Sequence, residues 1–315
     1  MAFLIACSSR AEQFAAHARS FDPGLDIRIA PATGARDDIH TALVWNPPPG
    51  LLATLPNLKL IVSMGAGVDH LWRDPDLPAV PIVRFVDPDL TGRMAEYITL
   101  NVLYHHRRMS EFRELQQRGE WTYLPEPAAH AVRVGLMGLG VMGSAAARAL
   151  QPFGYRLAGW SLTRKTRPGV TGYAGPGELD AFLAATDILA VTLPLTSATR
   201  GLLDRHLFRK LSPAGRSPLL PGPVLINAGR GGLQVDADIH AALEAGELYA
   251  ASLDVFETEP LPPSSPLWSH PRVVITPHNA AESDPAAIAR YALRQMARCR
   301  AGEPLENLVD RSREY

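Results

Sequence analysis

Lysine and cysteine are both scarce in this chain of 315 residues. Three lysines (Lys59, Lys165, Lys210) stand against 28 arginines, and Cys7 and Cys299 are the two cysteines. Two cysteines cannot build a disulfide framework or a cysteine zinc site, and each reads as a small core residue. No lysine follows a glycine, which removes a G-K-[S/T] phosphate loop. None lies four residues after a tyrosine, which counts against a tyrosine–lysine short-chain dehydrogenase. Neither sign of charge dominates: 31 basic and 32 acidic side chains leave a formal net charge of −1. That balance gives no footprint for nucleic acid or an anionic membrane. No apolar run approaches the ~18 residues of a membrane span, and Met1 to Cys7 lacks the basic start and long apolar stretch of a signal peptide. A cytoplasmic protein is expected, and no metal site.

What is present is an ordinary globular composition, 46% apolar and 20% charged. At ~150 residues per domain the length predicts two domains. In the first ninety residues Phe3–Cys7, Leu25–Ala30, Ala42–Trp45, Leu60–Ser63 and Ile82–Phe85 read as buried strands bounded by turn or cap residues. The prolines of Asn46-Pro-Pro-Pro-Gly50 end the third of them, because proline cannot donate to a ladder. An α/β layer with parallel strands is expected.

From Gly92 to Arg118 the pattern predicts one long helix stopped by Gly119. Its first half is apolar on most faces, which suggests a domain connector or a subunit interface. His105 and His106 lie side by side in it; neighbouring helical residues point apart, so they do not share a metal. Glu120–His130 reads as a linker. Beyond it, strands are predicted at Val132–Met137, Tyr155–Trp160, Ile188–Leu193, Val224–Asn227, Ala250–Phe256 and Val273–Thr276. Helical stretches are predicted at Ser144–Phe153, Glu178–Ala185, Ala198–Lys210 and Ala237–Ala245. Six strands alternating with helices predict a doubly wound parallel sheet, and Pro285 opens a last helix capped by Gly302.

The chemistry sits at the strand ends. Gly138-Leu139-Gly140-Val141-Met142-Gly143 stands between a predicted strand and a predicted helix. Its glycines permit a tight turn, close approach of a pyrophosphate and close helix–strand packing, and the helix N-terminus favours phosphate. An NAD site would carry an acid near the end of the next strand. Here Trp160-Ser161-Leu162-Thr163-Arg164-Lys165 offers hydroxyls and cations, which suit a 2′-phosphate and so NADPH. A plain solvated loop is the alternative reading of Arg164 and Lys165. Later strand ends carry Leu193-Pro194, Asn227-Ala228-Gly229-Arg230, Asp254 to Glu259, and Thr276-Pro277-His278. Carboxyl ends of parallel strands face the ligand crevice. An arginine, a carboxylate and a histidine on that rim suit hydride transfer to a 2-keto acid. The arginine binds the carboxylate or polarises the carbonyl, the histidine donates the proton, and the acid orients the histidine.

These motifs, with Val44-Trp45, Met64-Gly65-Ala66-Gly67-Val68-Asp69, Ser265-Pro-Leu-Trp268 and Val309-Asp-Arg, resemble the NAD(P)-dependent D-isomer-specific 2-hydroxyacid dehydrogenases. The resemblance covers essentially the whole chain and is strongest to the bacterial glyoxylate/hydroxypyruvate reductase A subgroup. It implies an α/β fold of two doubly wound parallel-sheet domains, Rossmann/flavodoxin-like, with an active-site cleft between them. The implied substrate domain is discontinuous, residues 1–93 plus 285–315, around a dinucleotide domain at 94–284, with the connecting helix at 92–118. The resemblance implies catalytic roles for Arg230, Glu259 and His278. It implies that Asp254 lies by the nicotinamide carboxamide, that Leu193 and Pro194 line the cofactor with Ala228, and that the amides of Ala66, Gly67 and Val68 hold the substrate carboxylate. Homodimers are usual in this family.

Two departures from the family pattern stand out. Leu162 occupies a position where relatives tend to offer an arginine, which weakens the 2′-phosphate grip and favours NADH. Ser212–Pro223 carries four prolines and reads as a long surface loop at a strand's amino end. Trp45 is expected to narrow the pocket for glyoxylate and hydroxypyruvate against bulky 2-keto acids, with core packing as the alternative; Met94 is a weaker candidate, and Trp268 reads as packing. A β-hydroxyacid dehydrogenase is disfavoured because its catalytic lysine has no counterpart here. A non-catalytic dinucleotide-sensing scaffold would have no need of Arg230, Glu259 and His278.

Overall fold

The computed structural model describes every residue except Ser8, Ser9 and Ser212. The chain divides into two compact units, Met1–Leu90 with Ser283–Tyr315, and Thr91–Glu282.

The first unit is built on five parallel strands, β1 (Ala2–Cys7), β2 (Asp26–Ile29), β3 (Ile39–Trp45), β4 (Leu60–Ser63) and β5 (Ile82–Arg84), in the order β2-β1-β3-β4-β5. Strand residues such as Leu4, Ile5, Leu43, Ile61 and Val83 are fully buried. They read as continuous apolar runs because parallel sheets are covered on both faces. Helix α1 (Ala11–Phe21) packs against the chain's last helix, Pro285–Ala301. The 283–315 segment thus completes the core of residues 1–90, with Tyr291 edge-on to Phe85 at 5.5 Å. Register sets the functional end: Val44 pairs with Ser63, so Trp45 and the loop after β4 leave the sheet side by side.

Helices α2 (Pro88–His106) and α3 (Met109–Arg118) replace the single helix expected over 92–118. Arg108 adopts a left-handed conformation, φ 54°, at the break. The polar groups there turn to the following linker: His106 Nε2 contacts Pro127 O at 2.8 Å, Arg107 pairs with Glu126, and Arg108 donates to Pro125 O. These bonds require the chain to change direction, and a continuous helix would point those side chains elsewhere. The other histidine face goes inward, His105 Nε2 lying 2.8 Å from Ser252 Oγ.

The second unit carries seven parallel strands: β6 (Arg133–Met137), β7 (Arg156–Ser161), β8 (Val170–Ala174), β9 (Ile188–Val191), β10 (Val224–Asn227), β11 (Ala250–Leu253) and β12 (Val273–Ile275). Their order is β12-β11-β10-β9-β6-β7-β8. The chain winds outward from β6 through β7 to β8, then restarts at β9 on the other side of β6. That reversal is the switch point at which open sheets form a ligand crevice. Strand β8 is an edge strand that the sequence reading did not contain. Helix α4 (Val141–Leu150) follows β6, with α5 (Leu179–Ala184), α6 (Arg205–Phe208) and α7 (Asp236–Glu244) in the same unit; the last helix, Pro285–Ala301, is α8 and belongs to the first unit. Helix α6 is one turn, not the span 198–210, because Gly201 turns at φ 63° and Asp204 caps a new start by accepting from Leu207 N.

Of the proline-rich segment 212–223, Ser212 lies outside the described residues. The remainder enters the amino end of β10, where Arg216 Nε donates to the fully buried Asp187 at 3.2 Å. Asp187 also takes the backbone N–H and guanidinium of Arg133. The loop is thus tied to the sheet at the end opposite the crevice.

Candidate active site

Strand register puts every motif of the second unit on one rim. Met137 pairs with both Trp160 and Val191, Asn227 with Val191 and Leu253, and Leu253 with Ile275. The segments that follow these residues therefore leave the sheet together.

The glycine loop 138–143 joins β6 to α4. Gly138 turns at φ 113° and Thr192 Oγ1 donates to its carbonyl at 3.0 Å. A Cβ on Gly143 would lie 1.7 Å from Gly138 O, whereas one on Gly140 would meet nothing within 4 Å. Two glycines of the motif thus answer different needs: Gly143 lets the helix sit on the turn, and Gly140 leaves open space before the first amides of α4. Leu139 is buried against Gly159 of β7, Val141 is exposed and Met142 half-buried. Leu193 is buried and Pro194 half-buried just after β9, with Ala228 buried after β10. At the end of β7, Ser161 is buried and donates to Thr163 O at 2.9 Å. Arg164 donates to Gly172 O and pairs with Glu178. Lys165 is half-buried, and residues 161–165 carry no acid. Open backbone, a helix N-terminus and a cationic second-strand end fit a dinucleotide.

A histidine–carboxylate pair lies at the far side of the rim. His278 Nδ1 is 2.7 Å from Glu259 Oε2, and Glu259 Oε1 accepts from Phe256 N at 3.0 Å. Partial desolvation raises the Glu259 carboxyl, but the hydrogen bonds from His278 and Phe256 N–H, with the nearby Arg230 charge, outweigh it and hold it below the usual carboxylate range. A carboxylate at Nδ1 leaves Nε2 as the ring atom for other business. Arg230 is brought to this pair by close backbone packing, since a Cβ on Gly231 would lie 1.7 Å from Phe256 O.

Asp254 is the buried organiser of the histidine turn. Its Oδ1 accepts from Thr276 Oγ1 at 2.6 Å and from Asn279 N at 3.0 Å, and its Oδ2 from Ala280 N at 3.0 Å. Its backbone oxygen takes the N–H of His278, a non-glycine residue at φ 54°. Such a backbone persists only where the surroundings over-determine it. Tyr97 extends the network, its hydroxyl 2.8 Å from Thr276 Oγ1; burial pushes its pKa up to about 12, so it stays protonated. Sequence reasoning named Thr276 at its strand end but missed Tyr97 as its partner, because only the fold brings a helix residue to a strand end 179 positions away.

In the first unit the structure brings Trp45 to the loop 64–68. A Cβ on Gly65 would lie 2.6 Å from the indole Cζ3, and the His70 ring lies tilted by 48° at 4.7 Å between centroids. The half-buried indole is thus held between Gly65 and His70. The loop is fastened by Ser63 Oγ, which donates to Gly65 O and Gly67 O, and by Arg84, which donates to Ala66 O at 3.0 Å. Among the described residues, the amides of Ala66, Gly67 and Val68 donate to no protein acceptor. Ser63 and Arg84 were not singled out from sequence; a cation ending the buried run Ile82-Val83 was the available signal.

A family model described as D-isomer specific 2-hydroxyacid dehydrogenase, NAD binding domain, matches residues 99–280. A D-isomer specific 2-hydroxyacid dehydrogenase from Xanthobacter autotrophicus Py2, in complex with NADPH, is similar at 39% identity and TM-score 0.93, over 100% of this chain and 99% of that one. An NADPH-dependent glyoxylate/hydroxypyruvate reductase from Sinorhizobium meliloti, in complex with NADP, is 43% identical at TM-score 0.91, over 99% of both chains. A probable 2-hydroxyacid dehydrogenase from Rhizobium etli CFN 42, also with NADP, is 44% identical at TM-score 0.92, over 100% of this chain and 99% of that one. A matched glycine-loop domain and relatives aligned along its whole length place this chain in the D-isomer specific 2-hydroxyacid dehydrogenase family.

Proposed function

We propose that this protein is an oxidoreductase that reduces a small 2-keto acid of the glyoxylate or hydroxypyruvate type to the D-2-hydroxy acid, with NADPH. The observation that carries the reading is the 2.7 Å contact between His278 and Glu259 beside Arg230, on the rim that also bears the glycine loop.

Gly138, Leu139, Gly140, Val141, Met142 and Gly143 would receive the pyrophosphate, with Ser161, Thr163, Arg164 and Lys165 towards the adenosine ribose. Leu193, Pro194, Ala228 and Asp254 would flank the rest of the dinucleotide. When bound, NADPH supplies the hydride. Arg230 holds the substrate by its carboxylate or by its carbonyl oxygen, and in the second case stabilises the charge that grows on the carbonyl oxygen as hydride reaches the keto carbon. His278 gives its proton from Nε2 to that carbonyl oxygen, while Glu259 fixes the ring from Nδ1 and offsets the imidazolium charge. Asp254 keeps His278 in its turn. The free amides of Ala66, Gly67 and Val68 bind the substrate carboxylate, and Trp45 limits the size of the acid.

An absorbance assay of reduced-nicotinamide consumption tests the reading, crossing NADPH and NADH with glyoxylate, hydroxypyruvate, pyruvate and phenylpyruvate. Fast turnover of NADPH with the two small acids is the expected result. Absence of turnover with every pair, despite dinucleotide binding, would leave a dinucleotide-sensing scaffold. NADH as the better donor is the second reading, favoured by the engagement of Arg164 with Glu178 and by Leu162. A homodimer in the cytoplasm completes the proposal. Exposed Leu100, Met109, Trp121 and Tyr123 along and after α2 and α3 support the dimer, which light scattering checks.

A further inference from the structure

We propose that Arg167, on the connection from β7 to β8, is a residue that selects the dinucleotide: its guanidinium supplies the positive charge for a ribose 2′-phosphate from the glycine-loop side. The inference rests on the NADPH reading above and names a residue that the reading does not use.

Arg167 belongs to the same stretch as Arg164 and Lys165 but turns the other way. Its Nε donates to Ser144 Oγ at 2.7 Å, and its Nη2 reaches Leu139 O at 3.4 Å. Ser144 Oγ in turn donates to Leu139 O at 3.1 Å. The guanidinium is therefore laid against the first turn of α4 and against the residue between the first two glycines. Its backbone meanwhile stays on the connection that starts at the end of β7. The ribose next to the adenine lies between these two elements in a dinucleotide-binding sheet. Arg167 spans them.

Charge separates the cations of this segment. Arg164 is paired with Glu178 and holds Gly172 O. Arg167 has three hydrogen bonds, to Ser144 Oγ, Leu139 O and, at 2.9 Å, Thr166 O, all to neutral groups. Among the described residues no carboxylate pairs with it. It stands instead near the N-terminal turn of α4, where the helix dipole is positive and a further cation is unfavourable. That combination, a half-buried cation with neutral partners beside a positive helix end, is suited to an incoming phosphate. It also supplies what Leu162, exposed and apolar, cannot.

The rival explanation is that Arg167 is a strut pinning the connection to the glycine loop. The two explanations differ in what they do to NADP⁺ relative to NAD⁺. Dissociation constants for both, measured by calorimetry on the full chain and on Arg167→Gln and Arg167→Lys, separate them. Gln keeps a donor for Leu139 O without the charge; Lys keeps the charge without the fork. Arg167→Gln is expected to weaken NADP⁺ by roughly 10-fold and NAD⁺ by less than about twofold, with Arg167→Lys recovering most of the difference. Competition by 2′-AMP, but not 5′-AMP, should weaken in step. Equal losses for both dinucleotides, or an unchanged ratio, overturn the inference and leave the strut. Should the Gln variant not fold, the Lys variant decides: retained preference for NADP⁺ supports the charge, and a lost preference overturns it. Wild-type protein that binds neither dinucleotide overturns the NADPH reading itself, and this inference with it.

Discussion

The glycine loop permits a test in which two single methyl groups have opposite consequences. A Cβ at Gly143 would sit 1.7 Å from Gly138 O, 2.9 Å from Gly138 C and 3.0 Å from Thr192 Oγ1. Restoring ordinary contact requires the first turn of α4 to retreat by roughly 1.5 Å from the turn it packs on. The obstacle is backbone, and Gly138 O is also held by Thr192 Oγ1, so no side-chain rotation relieves it. Overpacking of this kind costs about 3 kcal/mol, the upper end of the usual range. For a unit of this size that lowers Tm by about 6–12 °C. Gly140 has φ −70°, a value any residue adopts, and open space where its Cβ would go. Gly140→Ala should leave Tm within about 2 °C of wild type while weakening dinucleotide binding by roughly 10-fold, because the methyl occupies the phosphate's approach. The assay is thermal unfolding followed by circular dichroism without dinucleotide, paired with calorimetric binding. A Gly143→Ala protein as stable as wild type, or a Gly140→Ala protein equally destabilised, would refute the division of labour.

Three further outcomes are expected. His278→Gln should lower the reduction rate by ~10²-fold or more at unchanged dinucleotide affinity, since only proton donation is lost; full activity would remove His278 from its role. Trp45→Ala should reduce the preference for glyoxylate over phenylpyruvate by roughly 10-fold, and an unchanged preference in the absorbance assay would make the indole mere packing against Gly65 and His70. Burial lowers His105 from 6.5 to about 4, so the unfolded chain takes up a proton that the native state refuses. Stability is then complete above pH 6.5 and falls as pH drops towards 4, by about 3 kcal/mol in total. His105→Gln should flatten this part of the urea-midpoint profile between pH 7 and 4.5, and an unchanged profile would contradict it.

Much of the fold was legible in the sequence, and the misses have physical causes. Most of the central parallel strands are buried, largely apolar runs bounded by turn residues, and eleven of the twelve strands among the described residues were readable. Strand β8 escaped because Val170-Thr-Gly-Tyr-Ala174 has neither an apolar run nor a clear period. The break at Arg107-Arg108 escaped because its cause, the bonds to Pro125, Glu126 and Pro127, lies downstream in the chain. The one-turn α6 hides in a stretch whose composition suits a helix, and only Gly201 and Asp204 hint at the interruption.

The sequence by itself determined the parallel α/β layers, the glycine turn and the identity of the polar residues at each strand end, because these follow from local periodicity and backbone freedom. Tertiary structure alone decided which of those residues meet. Register brought Glu259 to His278 and Tyr97 to Thr276, and backbone packing at Gly231 brought Arg230 beside them. The same holds for the split between Arg164, joined to Glu178, and Arg167, joined to the glycine loop. Side-chain direction at a strand end depends on neighbouring strands, not on the residue's own neighbours in sequence. Spacing named Arg164 and Lys165 after the second strand of the second unit but did not single out Arg167, whose direction only the fold sets.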